Sequence, residues 1–154
     1  MNLFVVLEND AGGMSIASSM RYCLTSWLVT QLITPPLEDM VLPGVTRDSI
    51  LDLAHEHASG RMRLPGLPTT MEVIERKMTM PEIVAAQKQG RLKEMFGSGT
   101  AAVVSPINNL GYMGENIPVP VAEDGLGDVA RVMLNELAGR QYGEIESPWS
   151  WKVE

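Results

Sequence analysis

Two short stretches offer backbone chemistry. The first is Pro43-Gly44-Val45-Thr46, which opens a helical pattern. A helix N-terminus has unpaired N–H donors and the positive end of the dipole, so it favours a phosphate or carboxylate. Gly44 lets the backbone bend close to such a ligand. Taken alone, the same residues more often spell an ordinary turn and helix cap. The second stretch is Gly97-Ser98-Gly99-Thr100-Ala101-Ala102, which matches the dinucleotide fingerprint G-x-G-x-x-A letter for letter. That fingerprint needs a helix directly after the turn. Here Val103-Val104-Ser105-Pro106 follows, a β-branched run closed by proline, which disfavours a Rossmann-type oxidoreductase. What survives is a glycine turn with a hydroxyl at Thr100 and small neighbours that leave room for a ligand. No Gly-Lys-Ser/Thr follows at the spacing of a Walker A loop.

Other reactive side chains are poorly arranged. His55 and His57 are two apart, so a helix points them to different faces, and His-Glu-His is not H-E-x-x-H. Cys23 has no evident activator, and there is no G-x-S-x-G elbow. Met71, Met78 and Met80 read as core filling rather than a soft-metal site. Glu123-Asp124 reads as a helix cap or a solvated pair. Lys77, Lys88, Lys93 and Lys152 all lack the apolar context that would depress an amine pKa for Schiff-base chemistry.

The elements that must position the two turns follow from pattern. Leu3 to Leu7 reads as a strand, with Leu32-Ile33-Thr34 as its hairpin partner. Residues 14–31 between them hold no acid and one base, an uncommon interruption for neighbouring strands. Ile50, Leu53, Ala54 and His57 keep the spacing of one helix face, ended by Ser59-Gly60, and a loop spans 61–71. Glu72 to Met78 reads as a strand. Thr79-Met80-Pro81-Glu82 is a capping box for a helix to about Gln89, with Gly90 as its C-cap. Glu94-Met95-Phe96 ends a strand, Gly97 to Thr100 reads as a tight turn, and Ala101 to Val104 as the next strand. Asn108, Asn109 and Gly111 suggest a hairpin turn, and Ile117 to Val121 an extended edge. A last helix covers Leu126 to Leu137, ended by Gly139. Alternating helices and strands place the chain in the mixed α/β (α+β) class.

Composition bounds the rest. The 154 residues carry 12 Lys plus Arg against 19 Asp plus Glu, a net charge of −7. That length suits one domain with a real core. The acidic balance argues against a general nucleic-acid binder. A lone cysteine excludes an internal disulfide framework. The uncharged run Tyr22 to Leu37 holds Pro35 and Pro36 and is shorter than the roughly 20 residues of a membrane span. No Lys or Arg precedes residue 21, which does not fit a secretory or transit peptide, so a soluble intracellular protein is the expectation.

Several stretches together resemble one family. They are Met1-Asn2-Leu3-Phe4, Thr34-Pro35-Pro36-Leu37, Leu42-Pro43-Gly44-Val45-Thr46-Arg47, Glu94 through Ala101, and Gln141-Tyr142-Gly143. In that order they look like the C-terminal half of the branched-chain amino acid aminotransferases, pyridoxal-phosphate enzymes of fold type IV. The loop from Ala58 to Pro68 is similar to that of the fungal members. The resemblance covers residues 1–10 and 32–154. It implies reversible transamination between leucine, isoleucine or valine and 2-oxoglutarate, in a homodimer of the cytoplasm or mitochondrion. It also implies that the N–H groups of Val45 and Thr46 and the hydroxyl of Thr100 bind the cofactor phosphate. By the same resemblance Leu42 lines the pyridine ring, and the N–H groups of Ala101 and Ala102 hold the substrate carboxylate.

The departures from the family are as informative. Its Schiff-base lysine and the glutamate at the pyridine nitrogen lie upstream of the Met-Asn-Leu-Phe strand, so this chain is expected to lack both and to be inactive alone. Ala102 and Ser105 stand where mammalian members carry a Cys-x-x-Cys pair. Residues 14–31 match nothing in the family, so the chain reads as a single partial domain, 1–154, with an insertion there. A second reading is a non-catalytic phosphate- or cofactor-binding module that pairs with a full-length subunit.

Overall fold

A computed structural model describes residues 1–10, 28–38 and 41–151. Five strands form one sheet in the order β3-β2-β1-β4-β5. They are β1 (Asn2–Asp10), β2 (Leu28–Thr34), β3 (Met71–Glu75), β4 (Leu92–Gly99) and β5 (Val103–Pro106). Strands β6 (Asn109–Tyr112) and β7 (Glu115–Pro118) form a separate hairpin. The helices are α1 (Val45–Ser59), α2 (Met80–Lys88) and α3 (Asp128–Gln141). Strand β1 is central and antiparallel to both β2 and β4, whereas β2 and β3 are parallel and joined through α1.

Alternation along β1 decides the layers. Phe4 and Val6 face one core with α1 and α3, which contribute Ile50, Leu53, Ala54, Val129, Met133 and Leu137. Val5 and Leu7 face a second core with Ile83 and Ala86 of α2 and with Val119. Phe4 stacks on Phe96 of β4 at 5.1 Å between ring centroids. Burying both faces of a strand requires the near-continuous apolar run Leu3 to Leu7.

The antiparallel pairing of β1 with Leu32-Ile33-Thr34 is as the sequence suggests, with Val5 opposite Ile33 and Val6 opposite Leu32. Strand β2 begins at Leu28, so residues 28–31 of the proposed interruption belong to the sheet. Cys23 and the rest of that segment lie outside the described residues. The capping box of α2 forms as read, with Thr79 and Glu82 bonding reciprocally. The bonds to the Thr79 backbone and hydroxyl, then to Arg76, hold the Glu82 carboxyl below its ordinary value.

Five local expectations are corrected. Gly97-Ser98-Gly99 is not a turn; it completes β4, and Thr100 to Ala102 connect it to β5. Gly97 serves close packing, since a Cβ there would collide with the Met1 side chain. Strand β5 consequently covers 103–106 instead of 101–104. The β6–β7 hairpin turns at Met113-Gly114, both at positive φ, a turn of the kind that fits strand twist, and not at Asn108 to Gly111. Helix α3 runs past Gly139, whose missing side chain admits Ile145; its end is at Gln141, and Gly143 supplies the left-handed residue beyond it. Strand β3 ends at Glu75, short of Met78.

Candidate functional site

The two glycine-bearing segments meet at the first residues of β1. Gly44 is the N-cap of α1, and a Cβ on it would stand 2.6 Å from Asn2 Nδ2. Gly99 approaches the Met1 backbone, where a Cβ would lie 3.9 Å from Met1 Cα. Asn2 is paired with Ser98 across the β1–β4 ladder. The start of α1 and the β4–β5 connection therefore flank one end of the central strand.

Helix α1 offers free donors there. No side chain caps it, and the Asp48 N–H is the first to bond within the helix, to the Gly44 carbonyl. The N–H groups of Val45, Thr46 and Arg47 precede that bond and have no intrahelical acceptor. The other two helices differ. Thr79 accepts at the start of α2, and Glu94 accepts at the start of α3. Leu42 and Val45 are large apolar residues left 71% and 83% exposed at this end, and Thr46 is half-buried beside them. Thr100, Ala101 and Ala102 are exposed at the tip of the β4–β5 hairpin. Val103, which closes the tip, sits at φ 55, a left-handed conformation that a β-branched residue rarely adopts. A strand and not a helix follows, so the G-x-G-x-x-A match lacks the context of a dinucleotide site.

The sequence reading missed the side chains that fix this end. Arg47 is 1% exposed, although it lies in the first turn of α1. Its Nη2 donates to the Pro35 carbonyl at 2.8 Å and to Glu75 at 2.5 Å, and Nη1 donates to Asp48 at 3.3 Å. One guanidinium thus ties the helix start to the ends of β2 and β3. A buried hydroxyl, Ser98 Oγ, has no hydrogen-bond partner. A run such as Pro35-Pro36 and a basic residue 11 or 12 positions later carries no sequence signal for that tie, because the partners meet only through the β2–α1–β3 crossover.

Other titratable groups lie elsewhere. His57 is buried, accepts from the Leu64 N–H through Nδ1 at 3.0 Å and contacts the Pro68 carbonyl through Nε2, which makes it a structural histidine. His55 is exposed, and no cluster with metal-ligand character exists among the described residues. Met71 is buried in the core that α1 covers. Asp124 accepts from the Leu126 N–H, which precedes α3, and pairs with Arg131, so it does not cap that helix and the alternative reading, a solvated pair, is the one that fits. Lys77 pairs with Glu38 and Lys93 with Glu8, both at 2.6 Å, and Lys88 is exposed at the end of α2. A cavity of about 240 Å³ borders Glu8, Lys93, Glu94 and Asp128. It belongs to the opposite end of β4, roughly 13 Å along the strand from Ser98 at about 3.3 Å per residue.

Glu94 is the one carboxyl pushed above its ordinary value among the described residues, chiefly by burial, against the opposing N–H bonds from Ala130 and Val129. Asp128 adds repulsion, and Arg131 offsets part of it. The folded chain therefore holds this proton more readily than the unfolded chain. Its contribution to stability is full below about pH 4.5, the ordinary value, and is lost as pH rises through the folded value. The stability of wild type minus that of Glu94→Gln is thus expected to grow as pH falls towards 4.5, measured by urea melts at several pH values. A difference that stays flat with pH would show that burial does not dominate at Glu94.

No family model matches the chain. Individual relatives do. It is 36% identical over 150 residues to the branched-chain-amino-acid aminotransferase of Monosiga brevicollis, covering 97% of this chain and 32% of that protein. It is 42% identical to the protein of the same name from Dictyostelium discoideum, covering 100% of this chain and 34% of that one. The mitochondrial branched-chain-amino-acid aminotransferase of Schizosaccharomyces pombe is 38% identical over 134 residues, 83% of this chain and 30% of its own length. The chain spans about a third of the length of the curated relatives it matches. No helix among the described residues is long and apolar enough to cross a membrane. Across that shared third, and with a mixed α/β fold of one main sheet and three helices among the described residues, the chain is similar to part of the branched-chain-amino-acid aminotransferases.

Proposed function

We propose that this chain supplies the anion-binding side of a pyridoxal-phosphate-dependent transaminase site acting on leucine, isoleucine or valine and 2-oxoglutarate. The observation that carries this reading is the convergence of an uncapped helix start and a glycine-flanked hairpin tip on Met1 and Asn2. The residues fit a phosphate on two counts. A Cβ at Gly44 would run into Asn2 Nδ2, so the backbone at the helix start stays bare, and Ser98, the ladder partner of Asn2, leaves a buried hydroxyl unpaired. In this reading the N–H groups of Val45 and Thr46 and the Thr100 hydroxyl hold the cofactor phosphate. Leu42 shields one side of the ring from water. The N–H groups of Ala101 and Ala102 orient the substrate carboxylate. When bound, the cofactor ring supplies the electron sink that weakens bonds at the substrate α-carbon. The chain's own residues bind and orient; among the described residues no lysine stands beside the two turns to move the α-proton. Of the lysines described, Lys77 and Lys93 are held in surface ion pairs, and Lys88 is on α2, against the other sheet face from α1. This chain alone is therefore proposed to be inactive in transamination, and a further subunit of the kind the family's homodimers use is its proposed partner. The relatives include proteins named cytosolic and mitochondrial, and either compartment fits this reading.

The test is intact mass after incubation with pyridoxal phosphate and borohydride, which makes a Schiff base permanent. The expected result is no stoichiometric adduct at any single lysine, with no leucine-dependent consumption of 2-oxoglutarate. One clean adduct at one lysine would overturn the claim of inactivity.

A further inference from the structure

Buried hydroxyls almost always have a partner, so an orphan needs a reason. Ser98 is 1% exposed, and its Oγ has none. Its surroundings are set by the sheet. Asn2 and Ser98 are direct partners across β1 and β4, so their side chains share a face, and opposite Cβ atoms there stand about 5 Å apart. Two residues along, the next pair on that face is Phe4 and Phe96, which pack under α1. The Ser98 hydroxyl is therefore on the α1 side of the sheet. Asn2 is also buried, and its Nδ2 reaches the Gly44 N-cap. Two neutral polar side chains thus lie beneath a helix start that no side chain caps.

We propose that Ser98 Oγ and Asn2 Nδ2 are side-chain donors to a phosphate monoester seated at the N-terminus of α1, forming its floor from the sheet. This rests on the reading of that end as a phosphate site. The division of labour is physical. Backbone N–H groups attract any small anion, carboxylate or phosphate. Donors rising from the floor reach the extra oxygens of a tetrahedral group, which a planar carboxylate lacks. Both donors are neutral, so they recognise the anion without bringing a second buried charge. Without the anion the hydroxyl has nothing to bond, which accounts for its isolation.

The experiment uses the full chain, with inorganic phosphate and pyridoxal phosphate as probes. Binding is read by calorimetry, and the melting temperature is read without ligand. Ser98→Ala removes a hydroxyl that bonds nothing in the free protein, so its ligand-free melting temperature should equal or exceed that of wild type. Its affinity for both probes should fall about 10-fold or more, the weight of a hydrogen bond to a charged group. Asn2→Asp, of nearly equal shape, puts a negative charge under the anion and should weaken binding further. Acetate affinity should change less in Ser98→Ala than phosphate affinity. The proposal is overturned if Ser98→Ala binds phosphate as wild type does, or if it loses affinity only together with ligand-free stability. If Gly44→Ala abolishes phosphate binding while Ser98→Ala and Asn2→Asp leave it intact, the cradle stands and only the floor is wrong. No phosphate binding by wild type would overturn both.

Discussion

Replacing Arg47 with methionine is expected to cost about 3 kcal/mol of stability, the low end for breaking a buried ion pair. For a chain of this size that is roughly 6–12 °C in melting temperature. The low end applies because Glu75 and Asp48 remain about half exposed and can return to water, so their ion pairs contribute little by themselves. The main loss is the bond to the Pro35 carbonyl, together with the fit of a side chain that is 1% exposed. Lysine is a point charge and cannot serve Pro35, Glu75 and Asp48 together, so Arg47→Lys should recover only part of the loss. The effect should also extend to ligand binding. Arg47 directly follows Val45 and Thr46, and without its tie to β2 and β3 the first turn of α1 is free to move. The melting-temperature gain produced by saturating phosphate should therefore shrink in Arg47→Met. A change of less than about 2 °C in the ligand-free melt would remove Arg47 from this positioning role.

Where the sequence was legible, the partners were close along the chain. Thr79 and Glu82 are three apart, so the capping box and its helix follow from four letters. The face Ile50, Leu53, Ala54 and His57 is buried as its period requires, and Gly60 takes the left-handed cap. That Pro43 to Thr46 opens a helix with unpaired donors was legible for the same reason, since a helix start creates its own donors. Glycine was the main source of error. Gly97 and Gly139 look like punctuation, but each admits a side chain, Met1 in one case and Ile145 in the other. Only the fold brings those side chains there. The floor of the candidate site was illegible on the same ground. Asn2 and Ser98 lie at opposite ends of the sheet-forming sequence and become neighbours only through the β1–β4 ladder.

Glu94 shows the same limit, and the second large effect is expected there. The sequence places it at the end of a strand; the structure makes it the N-terminal partner of α3. Its Oε1 accepts from the Val129 N–H at 2.8 Å and its Oε2 from the Ala130 N–H at 3.0 Å. Gly127 is required beside it, because a Cβ would overlap the carboxylate. The carboxyl thus replaces the cap that α3 lacks in its own sequence, where Gly127 is the N-cap and no side chain caps. Glu94→Ala leaves two buried N–H groups unpaired, at about 1–3 kcal/mol each. Removing a desolvated carboxylate offsets part of this, so the net loss should be about 3 kcal/mol. Glu94→Gln retains one acceptor oxygen but turns an NH2 towards the second N–H, so an intermediate loss is expected. The distinguishing measurement is hydrogen exchange at individual amides. In Glu94→Ala the Val129 and Ala130 amides should lose more protection than those of Ile83 and Ala86 in α2, because the first turn of α3 opens locally before the sheet does. A uniform loss across both helices would mean that Glu94 stabilises the fold as a whole and does not act as the cap of α3.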